Sequence, residues 1–171
     1  MITIQELLYN RGIKSTDKVK LVRHIDSRVD LYGLYKSNKK QFLLYQSQQT
    51  KHPFKNVDFI VAFLGEEGLT SRFIGIYRII NHESLPEIKV STINSIEYKD
   101  LYEMEEVTNF DDLKERVIIN WGKAAQTWNQ WLDKNIKEVI QIQPGLHYKQ
   151  FNDYFDFILD FNELKEIINN K

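Results

Sequence analysis

The chain has 171 residues, a formal net charge of −1 and no cysteine. This length fits one domain whose core needs neither metal nor disulfide, and the lack of cysteine excludes thiol catalysis, cysteine-based zinc sites and structural disulfides. The start, MITIQELLYN, lacks the pattern of a secretory leader, and no apolar run reaches the roughly 20 residues of a membrane span, so we expect a cytoplasmic protein that makes no contact with a membrane.

Charge is spread unevenly along the chain. Residues 1–56 carry eleven Lys or Arg against four Asp or Glu, and the remainder carries twelve against twenty. Such a split predicts one basic and one acidic surface if the two parts stay separate in the fold. The alternative is that the charges mix in three dimensions and the asymmetry disappears.

The first third of the chain predicts a helix, a strand and a longer helix. Thr3 suits the N-cap of a short helix that Gly12 would end. Residues 18–24 alternate basic and apolar side chains, which is typical of a half-exposed strand with a cationic outer face. Residues 30–49 follow the helical period, and Pro53 would close that segment because the residue before proline is pushed out of the α region.

Two apolar, β-branched runs over residues 57–64 and 72–80 predict a β-hairpin, since the loop between them contains two glycines. The segment that follows, residues 81–115, is the variable acidic segment of the domain. Within it, residues 88–98 are compatible with a strand, whereas residues 97–115 hold eight acidic and two basic side chains. We interpret that acidic part as an exposed connection with one short helix.

All three tryptophans lie in the stretch 116–131. The stretch begins as a buried strand, Val117–Ile119, turns at Gly122 and enters a helix predicted over residues 124–132. A strand that passes through a glycine into a helix start places free backbone N–H groups beside Lys123, which would suit an anion. The alternative is that the tryptophans form one apolar stripe at helical spacing and belong to the core.

The end of the chain predicts two further strands and a helix, over residues 138–142, 155–159 and 160–169. Taken in order, these elements predict an α+β fold in a single domain spanning residues 1–171. We expect a curved mixed or antiparallel sheet, partly closed as in a PUA-like barrel, with helices flanking it.

The sequence contains no established catalytic or metal-binding motif. G-x-S-x-G, H-E-x-x-H, the phosphate loop and the EF-hand loop are all absent. No histidine has a second ligand at metal spacing among His24, His52, His82 and His147. We therefore predict no catalytic residue, no metal ligand and no cofactor.

The tripeptide Gly75-Ile76-Tyr77 has the form of the first half of the GIY-YIG nuclease signature. No Tyr-Ile-Gly follows it in the sequence, so whether the chain is an enzyme stays open, with the incomplete motif weighing against it. An ordinary strand in which Gly75 lets a neighbour approach closely accounts for these residues equally well.

Nine short segments, spread in order along nearly the whole chain, resemble segments of one known domain. They are residues 19–24, 30–32, 45–49, 58–65, 73–77, 119–123, 128–130, 137–140 and 157–164. Together they resemble the non-catalytic N-terminal domain that precedes the nuclease domain in a group of bacterial GIY-YIG family proteins. One departure is Gln126, which stands where that pattern has an arginine. In proteins resembling this one a nuclease domain follows, so we expect either the free-standing accessory domain or a shortened form of a longer chain.

The resemblance implies a DNA-recognition module of a nuclease-associated family, of the kind found in restriction or defence systems, without catalysis of its own. Phosphates would be held by cations, bases would stack on aromatic rings and base edges would be read by amides. The predicted nucleic-acid-binding residues are Arg23, His24 and Lys123 for the cations, Tyr45, Trp121 and Trp128 for the rings, and Gln46 and Gln130 for the amides.

DNA is the expected target ahead of RNA, and a modified or flipped base is included because small sheet domains with an aromatic pocket handle such nucleotides. Two alternatives stay open. One is a protein-binding accessory domain that regulates a nuclease or a defence system through its acidic part. The other is a nuclease without a recognised motif.

Overall fold

The computed structural model describes residues 2–122, 128–142 and 162. Among them the helices are α1 (Ile4–Tyr9), α2 (Leu31–Ser37) and α3 (Lys39–Ser47), with 3-10 helices at Thr108–Leu113 and Leu132–Lys134. The strands are β1 (Val19–His24), β2 (Gln48–Gln49), β3 (Phe59–Gly65), β4 (Thr70–Val90), β5 (Glu97–Glu106), β6 (Val117–Asn120), β7 (Asn129–Trp131) and β8 (Val139–Ile142). No helix in these ranges is long and apolar enough to cross a membrane.

The strands form one mixed sheet that curls into a half-barrel. Six of them follow the order β2-β5-β4-β3-β1-β7, while β6 pairs with the start of β4 and β8 pairs with β6. Strands β1 and β3 run parallel and the other pairs run antiparallel. The α+β fold with a curved, partly closed sheet is confirmed, and the likeness to a PUA-like barrel stays a prediction.

Both faces of the central strands are buried. Along β3, Ile60, Ala62 and Leu64 face a cluster that includes α2 and α3, whereas Val61 and Phe63 face a second cluster that includes α1 and the 3-10 helix Thr108–Leu113. Alternate side chains of one strand therefore enter opposite cores, as the two-residue period of a strand requires. This explains why β3 is a continuous apolar run.

Strand β1 is buried as well, and the cationic outer face predicted for it is wrong. It lies between β3 and β7, so its polar side chains are satisfied inside the protein. Lys20 donates from Nζ to the carbonyl of Pro53 at 2.7 Å, while Arg23 and His24 are each 5% exposed. The alternation of basic and apolar residues predicted the strand correctly, but it did not predict that both faces of the strand are shielded from solvent.

Helix ends follow the capping residues. Thr3 and Glu6 form a reciprocal capping box at the start of α1, and Asp30 caps α2 by accepting a hydrogen bond from the backbone N–H of Gly33 at 3.0 Å. The single helix predicted over residues 30–49 is wrong, because Asn38 leaves the helical conformation, ends α2 and caps α3.

The predicted hairpin is confirmed as β3 and β4, but β4 extends ten residues further and pairs with β5. The acidic connection predicted over residues 97–115 is therefore wrong over β5, where Tyr98, Leu101 and Met104 are buried. The short helix expected in that segment is present as the 3-10 helix Thr108–Leu113. The acidic composition of this segment conceals a strand, because buried apolar residues lie between the acidic ones.

The tryptophan stretch also differs from its prediction. Strand β6 is confirmed, and so is β8 near the predicted 138–142. The helix predicted over 124–132 is wrong at its end, since residues 129–131 form β7. The strand and helix predicted over residues 155–169 lie outside the described residues, apart from Asn162, which is helical.

Gly75 occupies a β-bulge where β4 passes β3. Its φ of +152° is one that residues with a side chain rarely adopt, and a Cβ there would lie 3.3 Å from the ring of Tyr77 and 3.5 Å from Cε of Lys114. The interpretation of Gly75 as a position of close approach is confirmed.

Candidate functional site

A recess of about 500 Å³ opens where β1 ends, beside α3 and the start of β7. Its wall contains the segment that follows β1, the start of β2 and the turn between β4 and β5. The lining includes Asp26, Arg28, Tyr45, Gln49, Asn94 and Trp128, together with the predicted residues Arg23 and His24.

Two aromatic rings flank the recess. Trp128 is 40% exposed and packs edge-on against the buried ring of Phe54, at 6.1 Å between ring centroids. Tyr45 projects from α3 and meets the ring of His24 at 5.6 Å, and burial raises the pKa of its hydroxyl to about 12. Phe54 and His24 thus fix two rings that still border an open space.

A bidentate ion pair forms part of the same wall. Arg28 donates from Nε and Nη2 to the two carboxylate oxygens of Asp26, at 2.9 and 3.0 Å. This hydrogen bonding keeps the pKa of Asp26 below its ordinary value. The Arg28 side chain is 53% exposed, so its guanidinium remains within reach of a ligand while Asp26 balances its charge.

Arg23, predicted to hold a phosphate, is instead the internal support of the β3–β4 loop. Its Nε donates to Ser71 Oγ at 2.8 Å, and its Nη2 lies 3.2 to 3.3 Å from the carbonyls of Glu66, Gly68 and Thr70. Burial lowers the pKa of the guanidinium. With its donors directed at the loop, the side chain has no direct route to a phosphate in solution.

His24 and Gln46, also predicted to contact nucleic acid, are buried against each other. His24 Nε2 lies 2.9 Å from Gln46 Oε1, and Gln46 is completely shielded from solvent. Burial lowers the pKa of His24 to about 4, so the ring is neutral near pH 7. The structure therefore argues against phosphate binding by His24 and base reading by Gln46.

The remaining predicted residues fall in three different places. Trp121 is fully buried beside Phe63, as the alternative of a core tryptophan requires. Gln130 lies in β7 opposite Leu21 of β1 and does not line the recess. Lys123 lies outside the described residues.

Part of the basic first segment is paired with the acidic part. Within the described ranges, three ion pairs join the two: Arg11 with Asp112, Lys36 with Glu115, and Lys39 with Glu106. The alternative that the charges mix in three dimensions is the one the structure bears out for these residues. Arg11, Lys36 and Lys39 are therefore already engaged by acidic partners.

Lys39 and Glu106 belong, together with Asp111 and Lys114, to what we call the buried ion cluster. Lys114 is fully buried and contacts both Glu106 and Asp111, the latter at 2.6 Å. Burial lowers the pKa of Lys39 to about 8, and the nearby Glu106 opposes that shift.

Sequence reasoning missed two sets of residues. Asp26 and Arg28 were overlooked because the loop after β1 has no periodic pattern. Three further residues converge although they are far apart in the sequence: the side chains of His52 and His82 meet the carboxylate of Asp100. No motif spacing signals this cluster, which contrasts with the prediction that the chain has no metal ligand.

Comparison of the chain with protein-family models, with curated proteins and with solved structures finds no match. The resemblance to the domain associated with GIY-YIG nucleases accordingly stays a prediction.

Proposed function

We propose that this chain is a nucleic-acid recognition domain that receives a single unstacked base, preferentially of DNA, in the recess beside Trp128. The observation that carries the proposal is the pairing of two anchored aromatic rings, Tyr45 and Trp128, at one opening of about 500 Å³. Stacking of a base on an aromatic ring contributes about 1–3 kcal/mol per base and tolerates any base. The proposal includes modified and flipped bases and gives the domain no catalytic role.

Polar groups in the same wall support discrimination between bases. The amides of Gln49 and Asn94 each present a donor and an acceptor, which is what reading a base edge requires. Gln49 Nε2 donates to the carbonyl of Gln46 at 2.9 Å, and Asn94 Oδ1 accepts from the backbone N–H of Ile96 at 3.2 Å. These bonds hold the two amides in fixed orientations, and a preorganised group loses less entropy when it binds.

The charge of the wall favours base contacts over backbone contacts. Arg28 is the exposed cation of the recess wall in the described part of the chain, and Asp26 balances it. A domain that neutralises about one phosphate has a shallow salt dependence, with log K falling by about 0.7 to 0.9 per unit of log salt. Such a domain selects by the identity and accessibility of the base.

Fluorescence anisotropy with a panel of oligonucleotides tests this function. The panel contains single-stranded DNA and RNA, intact duplex, and duplex with a mismatched or modified base, all at low salt. We expect the strongest binding where a base is already unstacked, because extruding one from an intact duplex costs a few kcal/mol. Trp128→Ala should weaken binding by about 1–3 kcal/mol, or roughly 5- to 150-fold.

Tyr32→Ala is the matched control, since Tyr32 is an exposed ring on α2 outside the recess. It should bind like the unaltered chain. Failure of every oligonucleotide to bind, or equal binding by Trp128→Ala and Tyr32→Ala, contradicts the proposal.

A second candidate function is protein binding by an accessory domain. It is favoured by three apolar side chains of β4 that are more than half exposed, Ile80, Ile88 and Val90, on a strand paired with the acidic β5. Exposed apolar residues rimmed by charge are typical of protein interfaces. The oligonucleotide panel separates the two candidates, because this function requires no binding of nucleic acid.

A further inference from the structure

A cluster of potential metal ligands lies where β2 and β4 meet β5. His52 Nδ1 lies 3.2 Å from Asp100 Oδ1, and His82 Nε2 lies 2.8 Å from the same oxygen. All three ligand atoms fall within 4.8 Å of one another. Two imidazole nitrogens from separate segments thus converge on one carboxylate.

These separations are close to those of a tetrahedral metal site. Zinc bonds to histidine nitrogen and carboxylate oxygen of about 2.0–2.2 Å place ligand atoms about 3.3 Å apart. The two distances to Asp100 Oδ1, 3.2 and 2.8 Å, lie near that value, and the three ligand atoms fall within 4.8 Å of one another. Small side-chain shifts would therefore complete the geometry.

Asp100 supplies a second, independent observation. The residue is completely buried, and within the described part of the chain its second carboxylate oxygen, Oδ2, has no hydrogen-bond partner. Removing an ionised carboxylate from water is costly unless a cation compensates it. A divalent cation bound at Asp100 would supply that compensation directly.

The surrounding structure holds the ligands in place. His82 stands opposite Tyr102 in the register of β4 and β5, and the two rings stack at 4.6 Å. His52 precedes Pro53, whose carbonyl accepts a hydrogen bond from Lys20 at 2.7 Å. These contacts restrict the position of the His82 ring and of the segment that bears His52.

We propose that His52, His82 and Asp100 bind one divalent transition-metal ion, with Zn²⁺ as the ion that this ligand set suits best. Imidazole and carboxylate together match Zn²⁺. Three protein ligands leave a fourth position, and it faces solvent because the side chains of His52 and His82 are 52% and 33% exposed. That position would take water or an anionic oxygen, as in sites that keep an open coordination position.

Zn²⁺ titration by isothermal calorimetry tests the site, using the full chain stripped of metal with EDTA. We expect one Zn²⁺ per chain, and at least ~10-fold weaker binding by His52→Ala and by His82→Ala. Lys51→Ala is the matched control, because Lys51 is an exposed neighbour of His52, and it should bind Zn²⁺ like the unaltered chain. Circular dichroism of each variant checks that it is folded.

Thermal unfolding provides the second measurement, since a ligand that binds only the folded state raises Tm. The same Zn²⁺ concentration should raise the Tm of the unaltered chain and of Lys51→Ala, and should raise that of His52→Ala by less. Equal Zn²⁺ affinity in the unaltered chain and in both histidine variants overturns the proposal. So does the absence of Zn²⁺ binding, which would leave a simple histidine–carboxylate ion pair. Neither outcome depends on whether the recess binds a base.

Discussion

The recess and the buried ion cluster use their cations in opposite ways. In the recess, Arg28 forms a bidentate pair with Asp26 and still has half of its side chain in solvent. In the buried ion cluster, Lys114 has no exposed surface and is enclosed by Glu106 and Asp111. A cation contributes to binding only if a ligand can reach it, so the first region is suited to recognition and the second to stability.

The largest expected effect comes from Lys114→Met. The substitution keeps the apolar volume but leaves the carboxylates of Glu106 and Asp111 buried with less compensation, and breaking a buried pair in this way costs about 3–5 kcal/mol. Urea unfolding measures the loss. Lys89→Met is the control, since the exposed pair of Lys89 with Glu87 is worth less than about 1 kcal/mol. A similar loss of unfolding free energy in both variants would contradict the proposed difference between buried and exposed cations.

The second effect is the pH dependence produced by His24. Its pKa is about 4 in the folded chain and about 6.5 when unfolded. Between pH 6.5 and 4, His24 is protonated in the unfolded chain but stays neutral in the folded chain. The contribution of His24 to the free energy of unfolding is therefore complete above pH 6.5, and it falls by about 3 kcal/mol as the pH drops towards 4. Urea unfolding from pH 7.5 to 4 should show this loss in the unaltered chain and a smaller one in His24→Gln. Parallel pH profiles would contradict a buried neutral His24.

The smallest effects come from a pair of arginine variants. Arg23→Met removes the donors that hold the β3–β4 loop and should cost about 2 kcal/mol of stability without changing the salt dependence of DNA binding. Arg28→Ala should cost about 1–2 kcal/mol, because the 6% exposed side chain of Asp26 loses its two guanidinium donors, and it should reduce the salt slope by about one unit. Lys14→Ala, an exposed cation outside the recess, controls for general charge. A smaller slope of log K against log salt in Arg23→Met would show that Arg23 does contact a phosphate.

Features set by near neighbours in the sequence were predictable. The capping box of Thr3 with Glu6 involves residues three apart, and the β3–β4 hairpin is fixed by two apolar runs and the loop between them. Asp30 as a helix cap belongs to the same group. In each instance the interacting residues lie in one short window, so local propensity and the final structure agree.

Features set by distant partners were not predictable. Arg23 is buried because its guanidinium lies against the β3–β4 loop, and the residues to which it donates lie more than 40 residues away in the sequence. The alternation of residues 18–24 cannot distinguish a solvent-facing cation from one that supports a distant loop. The convergence of His52, His82 and Asp100 has the same origin, because it depends on strand register.

Of the predicted binding residues, Arg23, His24, Tyr45 and Trp128 line the recess. Arg23 and His24 are each only 5% exposed there, so Tyr45 and Trp128 are the two that the binding proposal retains. A tyrosine on an apolar helix face and a tryptophan in a tryptophan-rich stretch are equally consistent with core and with surface, so their exposure had to come from the fold. Arg28 and Asp26 carry a signal that sequence could have offered, an acid and a base two residues apart in a loop. That pattern is common on protein surfaces, which makes it weak without coordinates.

Strand β4 connects the loop that Arg23 supports with the turn that bears Asn94. The loop supported by Arg23 leads into its first residue, and the turn that bears Asn94 follows its last. One continuous backbone of 21 residues thus connects a rigid internal anchor to the mouth of the recess. The loop that Arg23 holds and the turn that bears Asn94 therefore lie at opposite ends of one strand, which changes its register with β5 twice between them.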